Sequence, residues 1–304
     1  MNELKFRVTN EQDGERIDKY VSILNEDISR SYIQKLMKEE NITVNGTVVK
    51  ANYRVKEDDE IIFLLPDSIY PNIEAEDISL TILYEDEDLL IVNKPKGMVV
   101  HPSIGHYNGT MVNGLMYHCK GQLSGINGVM RPGIVHRIDK DTTGSVIVCK
   151  NDFSHNDISR QLKEHTIVRK YRAIVHGNFD VLEGTIIGTI GRHPNDRKKM
   201  AMNVRLGKEA ITHYKVLQQF EKFAYVECQL ETGRTHQIRV HMTSINHPLL
   251  GDVTYGNLKS PFTTLNGQTL HAMTLGFIHP RTKEYMEIEA PLPDYFEKLL
   301  DVLK

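Results

Sequence analysis

Tryptophan is absent and aromatic residues make up only 7% of the chain, yet 40% apolar and 25% charged residues keep an ordinary globular balance. That balance excludes intrinsic disorder. Cysteine is scarce: Cys119, Cys149 and Cys228 are odd in number, widely spaced and without a CxxC pair. This excludes a disulfide framework or a cysteine-built zinc site, and each is expected to be a buried small side chain in a reducing compartment. No stretch approaches the ~18 uninterrupted apolar residues of a membrane span. The opening MNELKFRVTN has no apolar signal core, so a cytoplasmic location with no membrane partner is expected. No GxGxxG follows a strand and no phosphate loop occurs, so no nucleotide cofactor is expected. Repeats and low-complexity segments are missing too. What remains is 304 residues, enough for two domains, or one large domain and a small module.

Net charge is −3, which by itself argues against nucleic acid, but the distribution is uneven. Between Asp67 and Asp88 lie eight acids and no Lys or Arg. Between Gly191 and Lys208, Arg192, Arg197, Lys198, Lys199, Arg205 and Lys208 face one acid, Asp196. A near-neutral total therefore leaves room for a basic surface, although a solvated hairpin would carry the same charges.

Residues 1–66 read as a small α+β module. ERIDKYVSIL spaces Ile17, Val21 and Leu24 for a helix, and SYIQKLMKEE spaces Ile33, Leu36 and Met37 for a second. Arg30, Lys35 and Lys38 mark the other face of that second helix. ITV, the Asn45-Gly46 turn, TVVKANYRV and EIIFLLP then read as short strands. The segment SRSYIQKLMKEENITVNGTVVK resembles the small RNA-binding module first seen in a small-subunit ribosomal protein. Residues 67–80, acidic and aperiodic with Pro71, read as a linker. Residues 81–304 are strand-rich with scattered helices at DFSHNDISRQLKEH, THQIRVHMTSIN and PDYFEKLLDVL. That pattern gives an α+β domain on a mixed, mainly antiparallel sheet.

HRIDKDTTG, residues 136–144, stands between the apolar runs PGIV and SVIV. Asp139, Asp141 and Gly144 mimic the start of a calcium loop, but the twelfth position is Lys150, where a cation would repel the ion. DKDTT also fits the DxDxT signature of magnesium-dependent phosphatases. Those enzymes set it after an apolar strand of a doubly wound sheet, and here His136 and Arg137 occupy that run. A third chemistry is a single metal-free carboxylate: Arg137 and Lys140 favour ionised Asp139, which could act as a nucleophile. Asp141 through Gly144 would hold the loop. A structural ion-pair hairpin would read the same way.

The motif GIVHRIDKDTTGSVIVCKND resembles the catalytic motif H-R-L-D-x-x-T-S-G of the pseudouridine synthases that modify large-subunit ribosomal RNA, with Ile138 for Leu and Thr143 for Ser. The resemblance covers nearly the whole chain: DLLIVNKPKGMVVHP, RKYRAIVHG, LETGRTHQIRVHM and LHAMTLGFIHP resemble further motifs in order. VVHPSIGHYNGTMVNGLMYH and the N-terminal module are most similar to the D-type subfamily. The resemblance implies a catalytic domain of pseudouridine synthase type that isomerises uridines after flipping them out of the stack. Asp139 matches the catalytic Asp, attacking either ribose carbon 1′ or uracil carbon 6. Arg234 matches the arginine paired with that carboxylate, Tyr171 the tyrosine that stacks on the uracil, and Arg137 the arginine that enters the RNA stack.

Ile238 is expected to wall the uracil or pack its own helix, and Asn93 and Lys94 to shape the site or a turn. Phosphate contacts are expected from Arg30, Lys35, Lys38, Arg197, Lys198 and Lys199. The implied partner is ribosomal large-subunit RNA or a pre-ribosomal particle, with no metal and with a monomer as the default. His136, His236 and His241 lack HxxxH or HExxH spacing and are expected in the core or facing RNA. A rival reading is a non-catalytic RNA-binding ribosome-assembly factor.

Overall fold

The computed structural model describes residues 2–24, 30–65, 73–102, 107–126, 131–194, 196, 199–204, 207–256, 262 and 265–304. They fall into two compact units, Met1–Asn72 and Ile73–Lys304.

The first unit contains β1 (Asn2–Arg7), α1 (Ile17–Leu24), α2 (Arg30–Lys38), β2 (Ile42–Val44), β3 (Thr47–Val48) and β4 (Glu60–Leu65). Its antiparallel sheet runs β1-β4-β2-β3. The helical spacing of Ile17 and Val21, and of Ile33 and Leu36, places these side chains in one core with Ile42, Ile61 and Phe63. Asn45 and Gly46 both take positive φ, 49° and 76°, as a two-residue hairpin turn demands. TVVKANYRV is a strand only at Thr47–Val48; the Tyr53 N–H bonding back to Lys50 O turns the chain instead.

The second unit carries β5 (Thr81–Glu85), β6 (Leu89–Lys94), α3 (Met111–His118), β7 (Thr143–Cys149), α4 (Asp152–Lys163), β8 (Val168–His176) and β9 (Glu183–Arg192). It continues through β10 (Met200–Met202), β11 (Lys208–Gln219), β12 (Phe223–Leu230), α5 (Gln237–Ser244), β13 (Leu270–Ile278), β14 (Tyr285–Glu289) and α6 (Asp294–Leu303). Its strands run β10-β9-β11-β12-β8-β13-β7-β6-β5, and β14 pairs with the far half of β13. Of the pairings, β13 with β7 is parallel and the rest are antiparallel. The mixed α+β expectation holds, and the doubly wound sheet that a DxDxT phosphatase requires is not formed.

Alternation along β7 explains why this strand is buried throughout. Val146 and Val148 enter the core shared with α3 and α5, while Ile147 and Cys149 pack beneath α4 with Ile158. All three cysteines are buried and unpaired. Residues 73–80 lie along α3 rather than crossing open solvent: Ile73 is buried, Asn113 Nδ2 donates to Glu74 O at 2.9 Å, and Asn113 O accepts from Glu76 N–H. Among the described residues no helix is long and apolar enough to cross a membrane.

The entry to β7 needs glycine. Gly144 takes φ 108°, and a Cβ there would stand 2.2 Å from the carbonyl oxygen of Ala272 across the parallel pairing. Gly144→Ala should therefore destabilise the protein by about 3 kcal/mol or more. The urea-unfolding midpoint tests this, and a midpoint equal to that of the parent protein would contradict the close approach.

Candidate active site

Asp139 lies in the loop that ends at the first residue of β7, and that loop is fixed by its backbone. Thr142 N–H donates to Asp139 O, and Gly97 N–H to Lys140 O. Lys94 is wholly buried and turns inward. Its Nζ donates to Pro95 O, Met98 O and Lys140 O at 2.8, 2.9 and 2.9 Å, which uses all three N–H groups. Burial pushes Lys94 down to about 7 against the pull of Asp141 and Asp139. Side chains secure the loop's other end. Gln268 Nε2 donates to Thr142 Oγ1 at 3.0 Å, and Thr143 Oγ1 bonds His271 Nδ1 at 2.8 Å. Lys94 is thus a clamp beneath the loop. Asn93, half-buried and in register with Ser145, likewise does not line the cleft above it.

The carboxylate of Asp139 meets an arginine, but not the expected one. Arg239 Nη1 donates to Asp139 Oδ2 at 3.0 Å. The same guanidinium grips Asp252 through Nε and Nη2 at 2.7 and 2.9 Å. Asp252 is fully buried and also accepts from the N–H groups of Thr254 and Tyr255. Burial opposes the charge on Arg239, but its bonds to Asp252 and the nearby Asp139 prevail and hold the guanidinium above its usual range. Arg234, expected in this place, instead donates Nε to Glu209 O at 2.8 Å and stands on the cleft wall. The reason is positional: Arg234 precedes α5, whereas Arg239 lies inside it on a face buried against the Asp139 loop.

His236 caps α5 in the left-handed region, φ 58°, a cost of a kind found where a site dictates backbone geometry. Its Nε2 stands 3.9 Å from Asp139 Oδ1, and its Nδ1 bonds Tyr255 Oη at 2.9 Å. Tyr255 Oη also accepts from Met200 N–H at 2.7 Å, which fixes the phenol beside the imidazole. Burial lowers the His236 pKa although Asp139 opposes this. His136 turns inward, its Nε2 accepting the N–H of Ile147 at 2.9 Å; burial pushes it down to about 3. His241 is buried as well.

Above Asp139 opens a cleft of about 610 Å³. Arg131, Arg137, Lys163, Arg169, Arg234 and Arg239 line it, and among the described lining residues Asp139 is the sole carboxylate. Tyr171 from β8 and Ile238 from α5 supply an aromatic and an aliphatic wall. Arg137 is exposed at the mouth. Burial raises the Tyr171 phenol above its ordinary pKa, against the pull of Arg169 and with a smaller push from Asp139. Among the outlying basic residues, Lys38 is exposed and Lys199 half-buried. The side chains of Arg30 and Lys35, and residues Arg197 and Lys198, lie outside the described residues.

Away from the cleft, the described residues contain one compact acid–histidine group, Asp86, Asp88 and His279. Tyr84 and His279 engage Asp86, and Arg281 grips Asp88 through two bonds of 2.6 Å, so the carboxylates are already satisfied.

A basic cleft with one carboxylate, an aromatic wall and a cation at its lip suits a nucleotide taken out of a polyanionic strand. A profile of the RNA pseudouridylate synthase family matches residues 88–244, and an S4-domain profile matches residues 15–61. The chain belongs to the RNA pseudouridylate synthase family: an enzyme that isomerises uridine to pseudouridine in RNA, preceded by an S4 module. It is 52% identical to the Bacillus subtilis protein named uncharacterized RNA pseudouridine synthase YlyB, over 100% of this chain and 99% of that one. It is 42% identical to ribosomal large subunit pseudouridine synthase D of Zymomonas mobilis, over 97% and 96%. The solved human RNA pseudouridylate synthase domain containing 1 superposes with a TM-score of 0.58 at 25% identity, over 79% of this chain and 97% of that one.

Proposed function

We propose that the protein converts specific uridines of large-subunit ribosomal RNA to pseudouridine in the cytoplasm, with Asp139 as the reacting carboxylate. The observation that carries this reading is the lone carboxylate in a basic cleft, one oxygen tied to Arg239 and the other, Oδ1, left to meet a nucleotide. The relatives named for the ribosomal large subunit, in Zymomonas and Neisseria, support the substrate. Arg239 pairs with Asp139 and aims it. Arg137 enters the space the flipped base vacates, and Tyr171 and Ile238 hold the uracil. The N1–C1′ bond then breaks, the base turns, a C5–C1′ bond forms, and the C5 proton is lost while N1 gains one. Lys38 and Lys199 add phosphate contacts, together with Arg30, Lys35, Arg197 and Lys198.

Mapping carbodiimide-reactive pseudouridines in cellular RNA with and without the gene tests the claim. Specific large-subunit positions should disappear with the gene, and unchanged maps would remove it. Tritium release from carbon-5-labelled uridine RNA should also survive EDTA once RNA folding is controlled for. Strict magnesium dependence of the chemical step would overturn the metal-free role of Asp139.

A further inference from the structure

Of the described cleft cations that the proposed chemistry leaves unused, Arg169 is the buried one. It stands two residues before Tyr171 on β8, so strand alternation puts both on one face. Only 8% of the residue is exposed. Nη2 donates to Glu231 O at 2.9 Å, but the buried Nε has no hydrogen-bond partner among the described residues. No carboxylate pairs with it there either: the ionisable groups acting on it are Tyr171 and a second cation, Arg234. Gly233 makes room for it, since a Cβ at that position would lie 2.6 Å from Nη1.

A guanidinium cannot shed its proton to escape burial. An unpaired buried cation is costly, and buried charges are normally paired. Arg169 therefore has the character of half an ion pair whose other half arrives with the substrate. RNA offers two acceptors, phosphate oxygens and base carbonyls. Phosphate is favoured, because only it brings the missing negative charge, and because Arg234 and Lys163 line the same cleft.

We propose that Arg169 is a positioning residue that takes one backbone phosphate of the RNA strand beside the flipped uridine, and so sets how deeply the uracil enters against Tyr171. This rests on the cleft being the RNA site. The test uses the full chain and RNA fragments bearing a mapped target uridine, each with a single methylphosphonate replacing one phosphate within three nucleotides of it. Binding and single-turnover tritium release are compared for the parent protein, Arg169→Lys and Arg169→Gln.

At one position the neutral linkage should weaken the parent protein about 10- to 100-fold, the scale of one charge-assisted bond. Arg169→Gln should show a similar loss on ordinary RNA and no further loss at that position, with Arg169→Lys recovering part of it. The urea-unfolding midpoint of Arg169→Gln should not fall, since it removes an unpaired buried charge. If every methylphosphonate weakens Arg169→Gln as much as the parent protein, or if Arg169→Gln and Arg169→Lys both bind and turn over normally, the phosphate contact is refuted. A non-additive binding cycle in a parent protein without turnover would keep this site and overturn the isomerase assignment instead.

Discussion

Arg239→Ala should impair the protein far more than Arg234→Ala, in turnover and in stability together. Arg239 joins two carboxylates, so its loss frees Asp139 to swing and strands Asp252 in the core with only two backbone N–H donors. Breaking a buried pair on one side typically costs about 3–5 kcal/mol. Loss of the fixed partner of the reacting carboxylate should lower single-turnover tritium release by about 10²–10³-fold. Arg239→Lys cannot span both acids with a single ammonium and should fall between these limits. Arg234→Ala removes a bond to Glu209 O at the cleft wall, so less than about a tenfold loss and an unchanged urea midpoint are expected. Equal losses for the two alanine variants would undo the assignment of the ion pair.

Asp139→Asn tests the chemistry with almost no change of shape. The amide keeps the size of the carboxylate but neither its charge nor its nucleophilicity, so turnover should drop by about 10⁴-fold or more. The cleft's six basic groups remain, and RNA affinity measured by filter binding should stay within about a few-fold of the parent protein. Near-normal tritium release from Asp139→Asn would sink the proposal that Asp139 reacts. Loss of binding in step with turnover would show the carboxylate to be structural.

Much of this site could be read from short-range pattern, and the part that could not depends on where helices begin and what they face. Asp139 and Tyr171 are each identified by their immediate neighbours, and the structure sets both in one cleft. GRTHQIR carries two arginines five residues apart, and the choice between them turns on α5 starting at Gln237 and on Asp252 waiting in a separate loop. Periodicity gave no help there, because α5 is buried from Gln237 through Met242, with no solvent face to mark its orientation. For Lys94 the sequence left a site-shaping role and a turn role open. The three converging carbonyls, one of them Lys140 O in the Asp139 loop, show how one inward-pointing ammonium ties the turn to that loop. Helix α3 was hidden by Gly114 in its middle, where Ile78 and Leu80 pack so closely that a Cβ would lie 3.2 Å away. Those same contacts explain why residues 73–80, apparently a spacer, belong to the second unit.

The parallel pairing of β13 with β7 also bears on how the enzyme forms as it is made. Thr143 and His271, which bond across it, are 128 residues apart, and Arg239 is 100 residues beyond Asp139. Contacts of such long range form slowly, because loop closure precedes any gain from pairing. During synthesis the Asp139 loop exists long before the strand that seats it and the guanidinium that holds it. The nascent chain therefore presents its S4 module well before a catalytic unit that cannot be completed until β13 has emerged.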